Sequence, residues 1–164
     1  MTALLDHDFD WATIQQQRLI AIHEAGHALM AVVLHGEACI SLSVSILPPR
    51  FSGWTRTCPS SRSPPTTFVQ AVALAGPSAE FIYCKNFNLP YPPVECILED
   101  LAKTDSDSVE AFALVHRMLS EKKYWGCLVH LADRLGDYWP SAQRSGTRAM
   151  PAEAVRAVVI EGLR

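Results

Sequence analysis

The first part of the chain carries apolar residues at helical spacing. No proline occurs between residues 11 and 35, and small or apolar side chains return there every three or four positions. They include Ile22, Ala25, Leu29 and Val32. Asp10 is suited to cap the N-terminus, and Gly36 stands where a C′ glycine is expected. The pattern predicts a helix over residues 11–35.

The polarity then alternates residue by residue, as in a half-buried strand. Ile40, Leu42, Val44 and Ile46 are separated by serines, and Pro48 and Pro49 follow. This alternation predicts a strand over residues 40–46, and a second short strand is predicted over 53–57. The first strand is either an edge strand that could pair with an extended substrate or an ordinary core strand.

Helical spacing dominates the rest of the chain. It predicts helices over residues 67–84, 94–102, 104–122, 124–137 and from Pro151 onward, with Pro77 inside the first of these. The Pro- and Ser-rich segment 58–67 is predicted to be a loop, and residues 141–149 to be flexible. The expected fold class is therefore mostly α with a small β-sheet (α+β).

Composition narrows the functional classes. The 164 residues suit one domain over residues 1–164, and the net charge of −3 gives no footprint for nucleic acid. The longest apolar run, residues 28–34, is too short to span a membrane. The N-terminus is acidic rather than signal-like, so we expect a soluble cytoplasmic protein. The five cysteines form no CxxC pair and are expected to be reduced thiols.

Candidate chemistry lies in the first helix, which contains His23-Glu24-Ala25-Gly26-His27. Two histidines four residues apart share one helix face, so both imidazoles can reach one Zn²⁺ ion. Glu24 is placed to act as a general base and then as a general acid on a metal-activated water. A glycine in mid-helix costs about 1 kcal/mol relative to alanine, so Gly26 suggests close approach by another element or by a ligand. The alternative is a helix with two hydrogen-bonded, partly buried histidines.

A catalytic zinc normally has three protein ligands, so one ligand must come from elsewhere. The HExxHxxGxxH layout would need Gly and His at two later helix positions, where this chain has Met30 and Val33. The third ligand is therefore remote. The candidates are Glu80, Glu95, Asp105, Asp107 and His116.

Further segments carry a family resemblance. Residues 21–31 have the sequence AIHEAGHALMA, residues 45–48 are SILP, and residues 53–55 are GWT. Residues 73–80 are ALAGPSAE, and residues 104–107 are TDSD. In this order, the segments resemble the peptidase domain of FtsH-like ATP-dependent zinc metalloproteases. The resemblance covers roughly residues 12–120 and departs from the family at Ala75, Pro77 and Phe81.

The resemblance implies a zincin-like helical metallopeptidase domain with Zn²⁺ held by His23, His27 and Asp107. A simpler role for Asp107 is to complete a capping box with Thr104. Glu80 is expected either to orient a histidine N–H beside the metal or to be a surface glutamate.

The expected activity is zinc-dependent endopeptidase hydrolysis of peptides or unfolded protein segments. The alternative is a non-catalytic, zinc-stabilised interaction or regulatory module with a peptidase fold. The intact Glu24 argues against that alternative, because a structural metal site needs no base. Within these 164 residues there is no counterpart of the family's ATPase domain. A separate ATPase partner and a homo-oligomer are both compatible with the sequence.

Overall fold

Five helices and three strands make up the described part of this computed structural model, which covers residues 4–46, 49–90, 108–137 and 146–164. In chain order they are α1 (Leu4–Val33), β1 (Glu37–Ile46), β2 (Pro49–Cys58), α2 (Thr66–Phe87), α3 (Ser108–Ser120), α4 (Lys122–Asp137), β3 (Gly146–Met150) and α5 (Ala152–Gly162). The chain is mostly helical with a small antiparallel sheet, which confirms the predicted α+β class.

Helix α1 begins at Leu4, earlier than predicted, and closes with a Schellman-type turn. His35 has the left-handed φ of 64°. Its N–H donates to the Val32 carbonyl at 3.0 Å, and the Gly36 N–H donates to the Ala31 carbonyl at 2.8 Å. The residue at C′ is therefore His35, and the prediction that Gly36 occupies that position is wrong by one residue.

The sheet has the strand order β2-β1-β3, and both pairings are antiparallel. Ile40 lies opposite Thr55 on one side and Met150 on the other. The interpretation of β1 as a substrate-pairing edge strand is wrong, because β1 is the central strand. The flexible segment predicted for residues 141–149 is wrong from Gly146 onward, where β3 pairs with β1. Strand β2 is also longer than the predicted 53–57.

The helices that follow agree with the sequence pattern where they are described. Helix α2 contains Pro77, as predicted, and α4 nearly coincides with the predicted 124–137. Pro151 precedes α5 as its N-cap residue. The predicted helix 94–102 and the start of the 104–122 helix lie outside the described residues. Within the described ranges, no helix is both long and apolar enough to cross a bilayer.

The four described cysteines are free thiols, in agreement with the expectation of reduced thiols. Cys127 is buried between α4 and α5, and its Sγ–H donates to the Val159 carbonyl at 3.6 Å. Burial raises the pKa of this thiol to about 11. A thiol with that pKa is protonated at neutral pH and acts as an apolar packing group.

The core forms where α1 packs against α2, α4 and the sheet. Ile22, Leu29 and Met30 of α1 are fully or almost fully buried there. At Gly26, α1 meets α2 so closely that an added Cβ would lie 2.5 Å from the Ala75 carbonyl oxygen and 2.9 Å from the Ala79 Cβ. The close approach that the mid-helix glycine suggested is therefore confirmed.

We expect Gly26→Ala to destabilise the fold by about 1–3 kcal/mol, because overpacking against the α2 backbone outweighs the gain in helix propensity. Urea unfolding of the chelator-treated protein measures this without a contribution from metal binding. Gly126→Ala in α4 is the matched control. An added Cβ there has no atom within 4 Å, so this variant should gain up to about 1 kcal/mol. Equal stabilisation by both substitutions would contradict the close packing at Gly26.

Candidate metal centre

Helix α1 brings the side chains of His23 and His27 together on one face. Their Nε2 atoms are 2.9 Å apart. The two rings meet edge to face, with centroids 4.7 Å apart and an interplanar angle of 77°. The four-residue spacing on a helix therefore results in two imidazole nitrogens directed at one point.

The backbone of α2 fixes the ring of His27. Its Nδ1 lies 2.6 Å from the carbonyl oxygen of Val72, in a buried contact. A carbonyl oxygen can only accept a hydrogen bond, so Nδ1 carries the proton and donates it. The Nε2 atom of a neutral His27 then presents a lone pair, which is the form that a metal ligand requires.

A carboxylate of α2 supports the ring of His23. Glu80 Oε1 lies 3.3 Å from His23 Nδ1, and the Glu80 side chain is only 9% exposed. The predicted contact between Glu80 and a histidine N–H is therefore present. The other carboxylate oxygen, Oε2, is buried and has no hydrogen-bond partner among the described residues. Burial, and then the negative charge of Glu80, raise the pKa of the Cys84 thiol.

The electrostatics of the pair favour a cation. Both Nδ1 atoms face acceptors, and the two Nε2 atoms are within hydrogen-bond distance of each other, so in the neutral form of both rings the Nε2 lone pairs face each other. Two lone pairs 2.9 Å apart repel unless a proton or a metal ion lies between them. Zinc–imidazole bonds are about 2.0–2.1 Å long, and a small outward movement of the rings accommodates them. The donor set therefore fits a divalent metal such as Zn²⁺.

Gly76 of α2 lies against the same two nitrogens. A Cβ at this position would be 2.7 Å from His23 Nε2 and closer still to His27 Nε2. Any side chain larger than hydrogen would push the two rings away from their present positions. The glycine thus leaves room for the histidine pair, and Pro77 continues the same stretch of helix.

Glu24 points from α1 towards strand β2. It is 6% exposed, and its Oε2 accepts a short hydrogen bond from the Thr55 hydroxyl. The same hydroxyl oxygen lies 3.2 Å from the Glu24 backbone carbonyl. The residue predicted to be a base is therefore buried beside the histidine pair and held by the sheet.

A cavity of about 240 Å³ opens beside His27. Strand β2, the loop that follows it and the first turns of α2 form its walls. The lining residues are His27, Thr55, Thr57, Pro59, Pro64, Phe68, Val69, Val72 and Ala73. Apart from the histidine and two threonines, the walls are apolar, so the cavity suits an apolar group next to His27.

Of the remaining candidates for the third ligand, His116 alone lies among the described residues. Glu95, Asp105 and Asp107 lie outside the described residues. His116 on α3 stacks on Phe112, and its buried Nδ1 has no partner among the described side chains. Burial, and then the charge of Lys85, lower the pKa of His116. In the described ranges, no group of three His, Cys, Asp or Glu side chains is arranged to hold a metal.

Sequence reasoning missed three contributors to this centre. Thr55 and Gly76 lie in the segments GWT and ALAGPSAE, but the sequence pattern predicts no role for either residue. The Val72 carbonyl carries no side-chain signal at all. Alternation along β2 would have indicated that Thr55 faces inward, although it could not indicate that Glu24 is the residue it meets.

Comparison with known proteins does not assign the chain to a family. No model of a known protein family matches the chain, and a search of curated proteins finds no similar sequence.

We expect Gly76→Ala to weaken zinc binding by at least about 10–100-fold, the range typical for loss of a group that supports a metal ligand. The added methyl group would displace both Nε2 atoms without replacing either histidine. Titration in a metal buffer, together with circular dichroism to verify folding, measures this. Gly126→Ala is again the control and should bind zinc like the parent. Unchanged zinc affinity in a folded Gly76→Ala variant would show that His23 and His27 do not bind the metal.

Proposed function

We propose that this protein is a zinc-dependent endopeptidase that hydrolyses peptides or unfolded protein segments. The observation that carries the proposal is the convergence of His23 and His27 through their Nε2 atoms, 2.9 Å apart. Their opposite nitrogens are engaged by a backbone carbonyl and a carboxylate, as is usual for metal-binding histidines. The buried Glu24 beside them supplies the base that hydrolysis requires.

Each side chain has a distinct task in this proposal. His23 and His27 would hold the metal, with Asp107 as the third ligand that the resemblance to FtsH-like peptidases suggests. Zn²⁺ held there would supply Lewis-acid chemistry: it would lower the pKa of a water molecule to about 7 and would polarise the scissile carbonyl. Glu24 accepts the proton of the attacking water and passes it to the leaving amine. The resemblance also supports a zincin-like fold for the domain.

The substrate class follows from the surroundings of the pair. The cavity next to His27 is of a size and polarity that suit one apolar side chain flanking the scissile bond. Strand β2 is an edge of the described sheet, so an extended peptide could pair with it. Extended chains are available in peptides and unfolded segments, and a separate ATPase would be the natural source of unfolded segments from folded proteins.

We expect Glu24→Gln to keep zinc and to lower kcat by about 10²–10⁴-fold, because the amide cannot act as a base. Cleavage of unfolded casein and metal analysis of the same samples measure both properties. His23→Ala is the matched control, since it should lose zinc and activity together. Full activity of Glu24→Gln would exclude the mechanism.

The same assay addresses the alternative of a non-catalytic module. A wild-type protein that binds one zinc ion, gains thermal stability from it and leaves casein and peptide libraries intact would favour a zinc-stabilised interaction domain. Stabilisation by metal alone fits both hypotheses, because any ligand of the native state raises stability. Metal-dependent cleavage is the result that separates them.

The third ligand has its own test. We expect Asp107→Ala to reduce zinc affinity more than Glu80→Ala, which should cost about 10–100-fold because Glu80 contacts a ligand rather than the metal. Asp105→Ala is the near-neighbour control and should change affinity little. Zinc titration of the three variants compares them directly. A larger loss for Asp105 or Glu80 than for Asp107 would show that the assignment of the third ligand is wrong.

A further inference from the structure

One face of strand β2 is directed at helix α1. Gly53, Thr55 and Thr57 are partly buried, whereas Trp54 and Arg56 between them are exposed. This period of two is that of a strand with one covered face. The covered face includes Thr55, whose hydroxyl group contacts the Glu24 carboxylate.

Thr55 makes the contact to the carboxylate. Its hydroxyl group carries a single proton, and the nearest acceptor is Oε2 of Glu24. Glu24 is only 6% exposed, so few water molecules can replace this donor. Hydrogen bonds to charged, buried groups are stronger than those between neutral groups.

Gly53 makes the contact possible. A Cβ at position 53 would lie 2.6 Å from Glu24 Oε1 and 2.6 Å from the Cγ2 of Ile20. The missing side chain lets the carboxylate lie against the strand backbone while Thr55, two residues further on the same face, holds its other oxygen. The two residues together place the Glu24 carboxylate against strand β2.

We propose that Thr55 is the positioning residue for the general base, and that its hydroxyl rather than its shape supports turnover. The inference rests on the proposed peptidase function. A base must be held in reach of the proton it removes, and small displacements lower the rate strongly. Loss of the hydroxyl removes this donor from a buried carboxylate oxygen and so weakens the restraint on the side chain.

Two substitutions separate the hydroxyl from the methyl group. Thr55→Val keeps the shape of the cavity wall and removes the donor. Thr55→Ser keeps the donor and removes the methyl group from a residue that lines the cavity. We expect Thr55→Val to lower kcat by about 10–100-fold with little change in KM. We expect Thr55→Ser to retain most of kcat and to change KM.

The experiment is steady-state kinetics on a peptide substrate, with zinc content measured for each variant. A purely structural role for Thr55 predicts the opposite order, because valine preserves packing better than serine. Thr55→Val should also have no further effect in the Glu24→Gln background, since it acts through that carboxylate. Full kcat in a zinc-loaded Thr55→Val protein would overturn this inference alone. An inactive, zinc-loaded wild-type protein would overturn the proposed function and this inference with it.

Discussion

The close approach of α1 and α2 at Gly26 places the histidine side of the candidate centre. Because Gly26 faces Ala75 and Ala79, no side chain larger than a methyl group separates the two helix backbones at this level. Main-chain atoms of α2 can then reach the imidazoles of α1 directly. Gly76 lies against both Nε2 atoms, and the Val72 carbonyl reaches Nδ1 of His27. Larger residues at the crossing would separate the helices and remove both contacts.

The buried polar side chains where α1 meets α2 and the sheet need hydrogen-bond partners. His27, Glu24 and Glu80 are each less than a tenth exposed, and a buried polar group without a partner costs about 1–3 kcal/mol. The partners come from two different elements, α2 for the histidines and β2 for Glu24. The helix that carries the HExxH motif therefore cannot form its centre alone. The tertiary structure around it determines the orientation of each ring and carboxylate.

Much of this fold could be predicted from periodicity, and the failures have physical causes. The helical spacing of α1 and the alternation of β1 are strong local signals, and Gly26 correctly indicated close packing. Strand β3 gave no such signal, because Gly146–Met150 is short and becomes a strand through pairing with β1. The left-handed residue is His35 and not Gly36, because the backbone hydrogen bonds that close the helix fix the C′ position whichever residue type occupies it.

The candidate centre shows the same division. The spacing of His23 and His27 predicts a shared face, and the structure brings their Nε2 atoms together. The sequence also offered a contact between Glu80 and a histidine N–H, although it did not indicate which histidine. The contact between Thr55 and Glu24 was not, because a period of two gives the face of a strand but not the helix residue that meets it. Asp107 lies outside the described residues and stays a prediction from the sequence.

The support of His27 by a main-chain carbonyl has a consequence for evolution and for mutational scanning. Any residue at position 72 supplies the same oxygen, so exchange of the Val72 side chain alters packing and the cavity wall but leaves the acceptor in place. A scan of side chains would register this position as an ordinary core site. The bond becomes visible only when the backbone itself is edited, for example by an amide-to-ester replacement that weakens the carbonyl as an acceptor. Sequence drift at this position can therefore proceed without loss of the histidine tautomer.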